Sequence, residues 1–111
     1  NLAIFKSNNF TTLQKEEFLY FYINRPDNVT EIELWEKLLK WSTILSDSLL
    51  PDVSQYTENH FATLKKIIKP FIKYIDFTSV RKHDFYQKIH PYAWKASVDI
   101  KYNKNYDLKT R

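Results

Sequence analysis

The chain contains no glycine. At an average usage near 7%, a chain of this length would carry about eight. Glycine-cradled phosphate loops of the Walker and Rossmann kinds are therefore excluded, as are nucleophile elbows of the Gly-x-Ser-x-Gly kind. Tight hairpins lose the residue that best accepts a positive φ. Cysteine is also absent, which excludes a disulfide framework, a thiolate zinc site and a cysteine nucleophile. The composition points away from nucleotide enzymes and towards helices.

With 111 residues, 43% hydrophobic and 27% charged, the chain suits one globular domain. Eight Phe, eight Tyr and three Trp are enough to fill a core. No apolar run approaches the roughly 18 residues of a transmembrane helix. The opening Asn1-Leu2-Ala3-Ile4-Phe5 has no initiator Met and no signal-peptide layout, so the chain is expected to be cut from a longer protein of the cytoplasm, or of the nucleus. Charge is uneven. Residues 1–59 carry a net −4 and residues 60–111 a net +8, so the halves can attract each other or the basic half can face an acidic partner.

Hydrophobic spacing predicts four to five short helices stacked as antiparallel hairpins, an all-α fold. The first spans Gln14 to Asn24, capped by Thr11 or Thr12, with Phe18, Leu19, Tyr22 and Ile23 inward. Arg25-Pro26-Asp27-Asn28 then turns. The second runs from Glu31 to about Ser46. Thr30 and Glu33 make a Thr-x-x-Glu capping box, and Ile32, Trp35, Leu38, Leu39, Ser42 and Leu45 trace its apolar face, widened by Leu34 and Trp41. Glu33–Lys37 and Glu36–Lys40 are i,i+4 pairs. The third helix spans Glu58 to Lys69, capped by Thr57, and its apolar stripe Phe61, Leu64, Ile68 and Phe71 repeats at i, i+3, i+7 and i+10. Pro70 is expected to stop or kink it and to open a short helical turn over residues 70–75. The fourth spans Val80 to Ile89, capped by Thr78 or Ser79, with Phe85 inward, and Pro91 is expected to end it. Residues 93–111 read as a weakly helical or frayed extension, in which Trp94, Val98, Ile100, Tyr102 and Tyr106 are apolar enough to pack.

Several side chains invite a functional reading. Trp35 and Trp41 could be partner hot spots, but two Trp on the apolar side of a capped helix are better read as core. Lys65, Lys66, Lys69 and Lys73, with Arg81 and Lys82 beyond, form a basic face that could meet nucleic acid. With no recognition helix or RNA-binding aromatic motif, a solvated face or one answering the acidic half is preferred. His60, His83 and His90 lack i,i+4 spacing, so no metal site and no cofactor is expected. Glu16–Glu17 and Glu31–Glu33 suit capping and the helix dipole better than acid–base catalysis.

Residues 31–41, Glu31-Ile32-Glu33-Leu34-Trp35-Glu36-Lys37-Leu38-Leu39-Lys40-Trp41, resemble the E-x-E-[VL]-W-x-x-[LV]-[IL]-x-W stretch of BACK (BTB and C-terminal Kelch) domains. The flanks agree in order: Asn9-Phe10-Thr11-Thr12-Leu13, Asn24-Arg25-Pro26-Asp27, residues 61–66, residues 70–75, Asp84-Phe85 and Ile89-His90-Pro91-Tyr92. The likeness covers residues 4–92 and is greatest to fungal BTB–BACK proteins, many of which continue into a TLDc domain. Ser42 stands where the family usually carries Gly.

The resemblance implies a BACK-like domain over residues 1–92. The helices that follow a BTB fold, including the 3-box that grips the cullin, would then precede Asn1, leaving an apolar face uncovered and Phe5 and Phe10 exposed. It implies a non-catalytic interaction and spacer domain. Such a domain would lie between a BTB domain in the same chain, which dimerises, and a module that recognises an unknown substrate for a cullin-RING ubiquitin ligase. Structural roles are expected for Thr30, Glu33, Trp35, Leu38, Leu39, Trp41, Phe61, Leu64, Ile68 and Phe85, with Pro70, Pro91 and Tyr92 setting the corners. The alternatives are a helical nucleic-acid module using the Lys65–Lys82 face and a scaffold with no ubiquitin role.

Overall fold

The computed structural model describes residues 8–98 and 100. The chain is all-α: among the described residues there are four helical runs and no strand. We label them α1 (Lys15–Ile23), α2 (Glu31–Leu45) and α3 (Glu58–Ile72). The fourth run, α4, covers residues 82–96 as an α turn Lys82–Asp84, a π turn Phe85–Ile89 and an α segment His90–Ala96. Short 3-10 turns occupy Asn8–Thr12, Val53–Gln55 and Phe77–Ser79.

Capping chemistry sets the helix starts, though not always with the expected residue. At α2 the Thr30 amide donates to Glu33 Oε1 at 3.0 Å, and the Glu33 amide donates to Thr30 Oγ1 at 3.3 Å. Two amides that the helix leaves unpaired are thereby satisfied. At α3 the Thr57 amide donates to His60 Nδ1 at 2.8 Å, so an imidazole takes the place of the usual Glu. At α1 the cap is Gln14, whose amide donates to Glu17 Oε1. The expected caps Thr11 and Thr12 lie instead in the preceding 3-10 turn, where the Thr12 hydroxyl donates to the Asn9 carbonyl. Thr78 and Ser79 do not cap α4 either. Their hydroxyls donate to the Asp76 carboxylate within the Phe77–Ser79 turn, and Arg81 holds the cap position.

Neither Pro70 nor Pro91 stops its helix. α3 continues through Pro70 to Ile72. Phe71 explains why: it is fully buried and touches the rings of Phe18, Tyr22 and Trp41. Burial of an aromatic ring on this scale offsets the roughly 3 kcal/mol that an interior proline costs. The helix then tightens, with Tyr74 and Ile75 amides bonding three residues back to Phe71 and Ile72. Pro91 does not end its helix; it stands in the first turn of the segment His90–Ala96, where a missing amide is tolerated. Just before it, the His90 amide bonds to the Phe85 carbonyl, five residues back. This wider π turn relieves the clash that a proline ring makes with an i−4 carbonyl. α4 stops at Ser97, which adopts φ 56°. The Ser97 amide bonds to the Trp94 carbonyl and the Val98 amide to the Ala93 carbonyl, the Schellman pattern, made here without glycine.

The core is aromatic. Phe18 stacks on Trp41 with centroids 4.5 Å apart and also contacts Phe10, Tyr22 and Phe71. Phe10, expected to be exposed, is 1% accessible, because the 3-10 turn folds it onto Phe18; Phe5 lies outside the described residues. On α1 the buried residues are Phe18, Phe21 and Tyr22. Ile23, expected inward, is 48% exposed: the stripe follows i, i+3, i+4 and leaves position i+5 outside. On α2, Leu34, Trp35, Leu38, Trp41 and Ser42 are buried, while Leu45 in the last turn is exposed. Leu64 and Ile68 of α3 and Phe85 and Ile89 of α4 complete the cluster, and Leu39, Tyr92, Val98 and Ile100 pack partly buried against it. Trp94 is 62% exposed, so it does not pack as the sequence suggested. Tyr102, Tyr106 and most of the expected frayed extension lie outside the described residues.

Two indole N–H groups join the helices. Trp41 Nε1 donates to the Leu13 carbonyl at 2.9 Å and Trp35 Nε1 to the Lys88 carbonyl at 2.8 Å. The end of α2 therefore meets the start of α1, so the two run antiparallel. Tyr56, just before α3, meets Tyr92 in α4, while Val98, just past α4, shares a hollow with Lys65 and Lys69. The last turns of α4 thus lie against α3, from its start at Tyr56 towards Lys65 and Lys69.

Candidate interaction site

Among the described residues a hollow lies between α3, the Phe77–Ser79 turn and the end of α4. Its volume is about 700 Å3, and its lining includes Lys65, Lys69, Ile72, Lys73, Phe77 and Val98. Three lysines fall at i, i+4 and i+8, so one face of α3 carries all three ammonium groups. They span about 12 Å at 1.5 Å per residue. Lys65 is half-buried, and Lys69 and Lys73 are exposed. Lys73 Nζ lies 5.2 Å from the centre of the Tyr74 ring. Lys66, Arg81 and Lys82 do not line the hollow; Lys66 is one residue, or about 100°, round the helix from Lys65.

Asp76 is the acidic group at the rim. It accepts from the Thr78 amide and hydroxyl and from the Ser79 hydroxyl. These bonds favour the charged form and hold its carboxyl below the usual Asp range. The Asp76 amide in turn donates to Glu31 Oε1 at 2.6 Å. Glu31 Oε2 pairs with the Arg25 guanidinium at 3.6 Å, and Arg25 also donates to the carbonyls of Tyr22 and Tyr74. This chain of bonds ties the α1–α2 linker to the segment between α3 and α4. Sequence reasoning placed Arg25 in a turn and Glu31 at a helix start, and saw neither contact. A charged pair separated by a Pro-containing turn was the available signal.

A second hollow of about 330 Å3 is lined by Ile23, Arg25, Pro26, Asp27, Val29 and Glu31. Two of its charged groups, Arg25 and Glu31, are committed to the ties just described. Elsewhere, Tyr56 donates to the Leu50 carbonyl. Burial, together with Tyr92, raises the Tyr56 phenol above its ordinary pKa; burial and the Asp52 charge raise that of Tyr92.

The residues singled out from the sequence fall mainly in the interior. Trp35, Leu38, Trp41, Leu64, Ile68 and Phe85 are buried in the central cluster. Phe61 is buried beside Tyr56, apart from that cluster. Tyr92 is half-buried against Trp35 and Tyr56. Ser42 is wholly buried, with its hydroxyl donating to the Leu38 carbonyl at 2.7 Å: a small side chain that satisfies itself on its own helix. The three histidines do not converge. His60 caps α3, and His90 stacks on exposed Trp94. Among the described residues no three His, Cys, Asp or Glu side chains are grouped to hold a metal ion. Among those residues no helix is long and apolar enough to cross a membrane. No protein-family model, curated protein or solved structure matches the chain.

Proposed function

We propose that the chain is a non-catalytic interaction and spacer module, of the BACK kind that joins a BTB domain to a recognition module in a cullin-RING ubiquitin-ligase adaptor. The observation that carries this reading is the double anchoring of α2. The two Trp of the BACK-like stretch are both buried, and their N–H groups bond across to Leu13 and Lys88. A spacer is useful only if its two ends keep a fixed offset, because effective concentration at a tethered site depends on that geometry. Anchoring one helix to segments on both sides serves that need.

Four carboxylates serve the fold, which is what a spacer asks of them. Glu33 serves Thr30, Glu31 serves Arg25 and the Asp76 amide, Asp76 serves Thr78 and Ser79, and Asp52 serves Ser54. Each is spent on capping or bridging. In this reading the BTB domain of the same polypeptide supplies dimerisation, and the protein works in the cytoplasm or nucleus.

The test is titration calorimetry of the full polypeptide containing this chain against the N-terminal region of a cullin. Saturable binding at about 1 µM or tighter is the expected result. A folded polypeptide that gives no heat of binding would remove the ligase role and leave a scaffold.

A further inference from the structure

We propose that the hollow beside α3 is a docking site for an acidic, apolar-containing peptide segment of a partner protein, held by Lys65, Lys69 and Lys73. The inference takes from the preceding section only that the chain is an interaction module; it does not need a cullin.

Charge comes first. Among the described residues no carboxylate pairs with any of the three ammonium groups; Arg25–Glu31 and Lys88–Glu36 lie elsewhere. Among the described residues the one acid at the rim, Asp76, already has three hydrogen bonds from Thr78 and Ser79. Three like charges on one helix face repel each other by a few tenths of a kcal/mol per i,i+4 pair, so an anionic occupant gains by relieving them. Apolar surface comes next. Ile72 and Val98 are partly buried against the core, and Phe77 lies beneath them, so the floor offers a seat for an apolar side chain.

Size and spacing select among anionic occupants. A single head group, such as a fatty carboxylate, reaches one or two lysines. Three lysines over about 12 Å match a strip of carboxylates on an extended segment of about four residues at 3.3 Å each. The chain's own remaining C-terminal stretch is a poor occupant. Residues 101–111 hold four basic side chains and one acidic, the same sign as the rim. Nucleic acid fits less well than a peptide, because Lys66, Arg81 and Lys82 stand off the hollow and Asp76 stands on its edge. Asp76 also sets a polarity: the partner's acidic residues lie along α3, and its neutral or basic end lies by the Phe77–Ser79 turn.

The probe is a fluorescein-labelled peptide of about ten residues alternating Glu with Leu, titrated into the full chain by fluorescence anisotropy at low salt. Saturable binding is expected, weakening as salt is added. Lys69→Glu, which reverses a charge at the centre of the rim, is expected to weaken it by about fivefold or more. Lys66→Glu makes the same change in net charge on the same helix, one position off the hollow, and is expected to leave affinity within about twofold. Circular dichroism of both variants checks that the helices persist. Equal losses in the two variants would overturn the proposal in favour of unspecific charge attraction. So would absence of binding by the unmodified chain, or tighter binding of a DNA duplex than of the peptide. Failure here leaves the cullin titration untouched, and a failed cullin titration leaves this one untouched, so the two readings fall separately.

Discussion

Tyr22 is a single side chain on which several parts of the fold depend. Its ring is fully buried against Phe18 and Phe71, and its hydroxyl donates to the Leu34 carbonyl. Burial raises its pKa well above 10.0; Arg25 opposes the rise and Glu31 adds to it. The sign follows. A folded pKa above the unfolded value near 10 gives stability that is complete below about pH 10 and is lost as pH rises towards the folded pKa. Tyr56 and Tyr92 shift the same way. Asp52 and Asp76 shift downward, chiefly through hydrogen bonds from Ser54 and from Thr78 and Ser79. Their contribution is present above about pH 4 and is lost as pH falls through their folded pKa values. Urea unfolding across pH is expected to give a plateau that falls at both ends, with Tyr22→Phe flattening the alkaline limb. An unchanged alkaline limb in that variant would contradict the burial argument. Ser97 gives a second prediction at this scale. A non-glycine residue at φ 56° carries a penalty of about 1 kcal/mol, so Ser97→Gly is expected to raise the unfolding free energy by about 0.5–1 kcal/mol. A loss of stability would mean that the Ser97 side chain contributes more than the backbone strain costs.

At the scale of the element, the second helix was the most legible part of the sequence. Thr30 and Glu33 announce its start by local chemistry, and its apolar spacing identifies Trp35, Leu38 and Trp41. Thr30→Ala is expected to cost about 1 kcal/mol, read as a lower urea midpoint at unchanged slope. A change below about 0.3 kcal/mol would mean that the box is not holding the helix. The prolines were misread because local preference is only one term. Phe71 gains enough from burial to carry α3 past Pro70, and a π turn makes room for Pro91. Neither signal is local. The choice between Phe21 and Ile23 was equally hidden, since both stand beside Phe18 and Tyr22 and only the neighbouring helix decides which is covered. Of the basic face, the i, i+4, i+8 lysines were visible in the spacing. The hollow they line was not, because the Phe77–Ser79 turn and the end of α4, distant in sequence, supply its other walls.

At the scale of the whole molecule, α2 is the member to which the others attach. Arg25 adds a tie at the opposite end from Trp41, bonding to the Tyr22 and Tyr74 carbonyls and to Glu31. Arg25→Ala is expected to cost about 2 kcal/mol, since hydrogen bonds from a charged donor contribute about 1.5–3 kcal/mol, with Arg25→Lys recovering only part. Trp35→Ala is expected to cost about 3–5 kcal/mol; a loss under about 1 kcal/mol would place the ring outside the load of the core. Lys88–Glu36 at 3.3 Å is exposed on both sides and is expected to contribute little.

The most direct test of the spacer claim is native-state amide hydrogen exchange on the full chain across low denaturant. If α2 binds the molecule into one body, the slowest amides of α1, α2, α3 and α4 share one opening free energy and one denaturant slope. If α4 or α1 opens at a free energy several kcal/mol below that of α2, the two ends do not hold a fixed offset. The spacer reading would then be wrong.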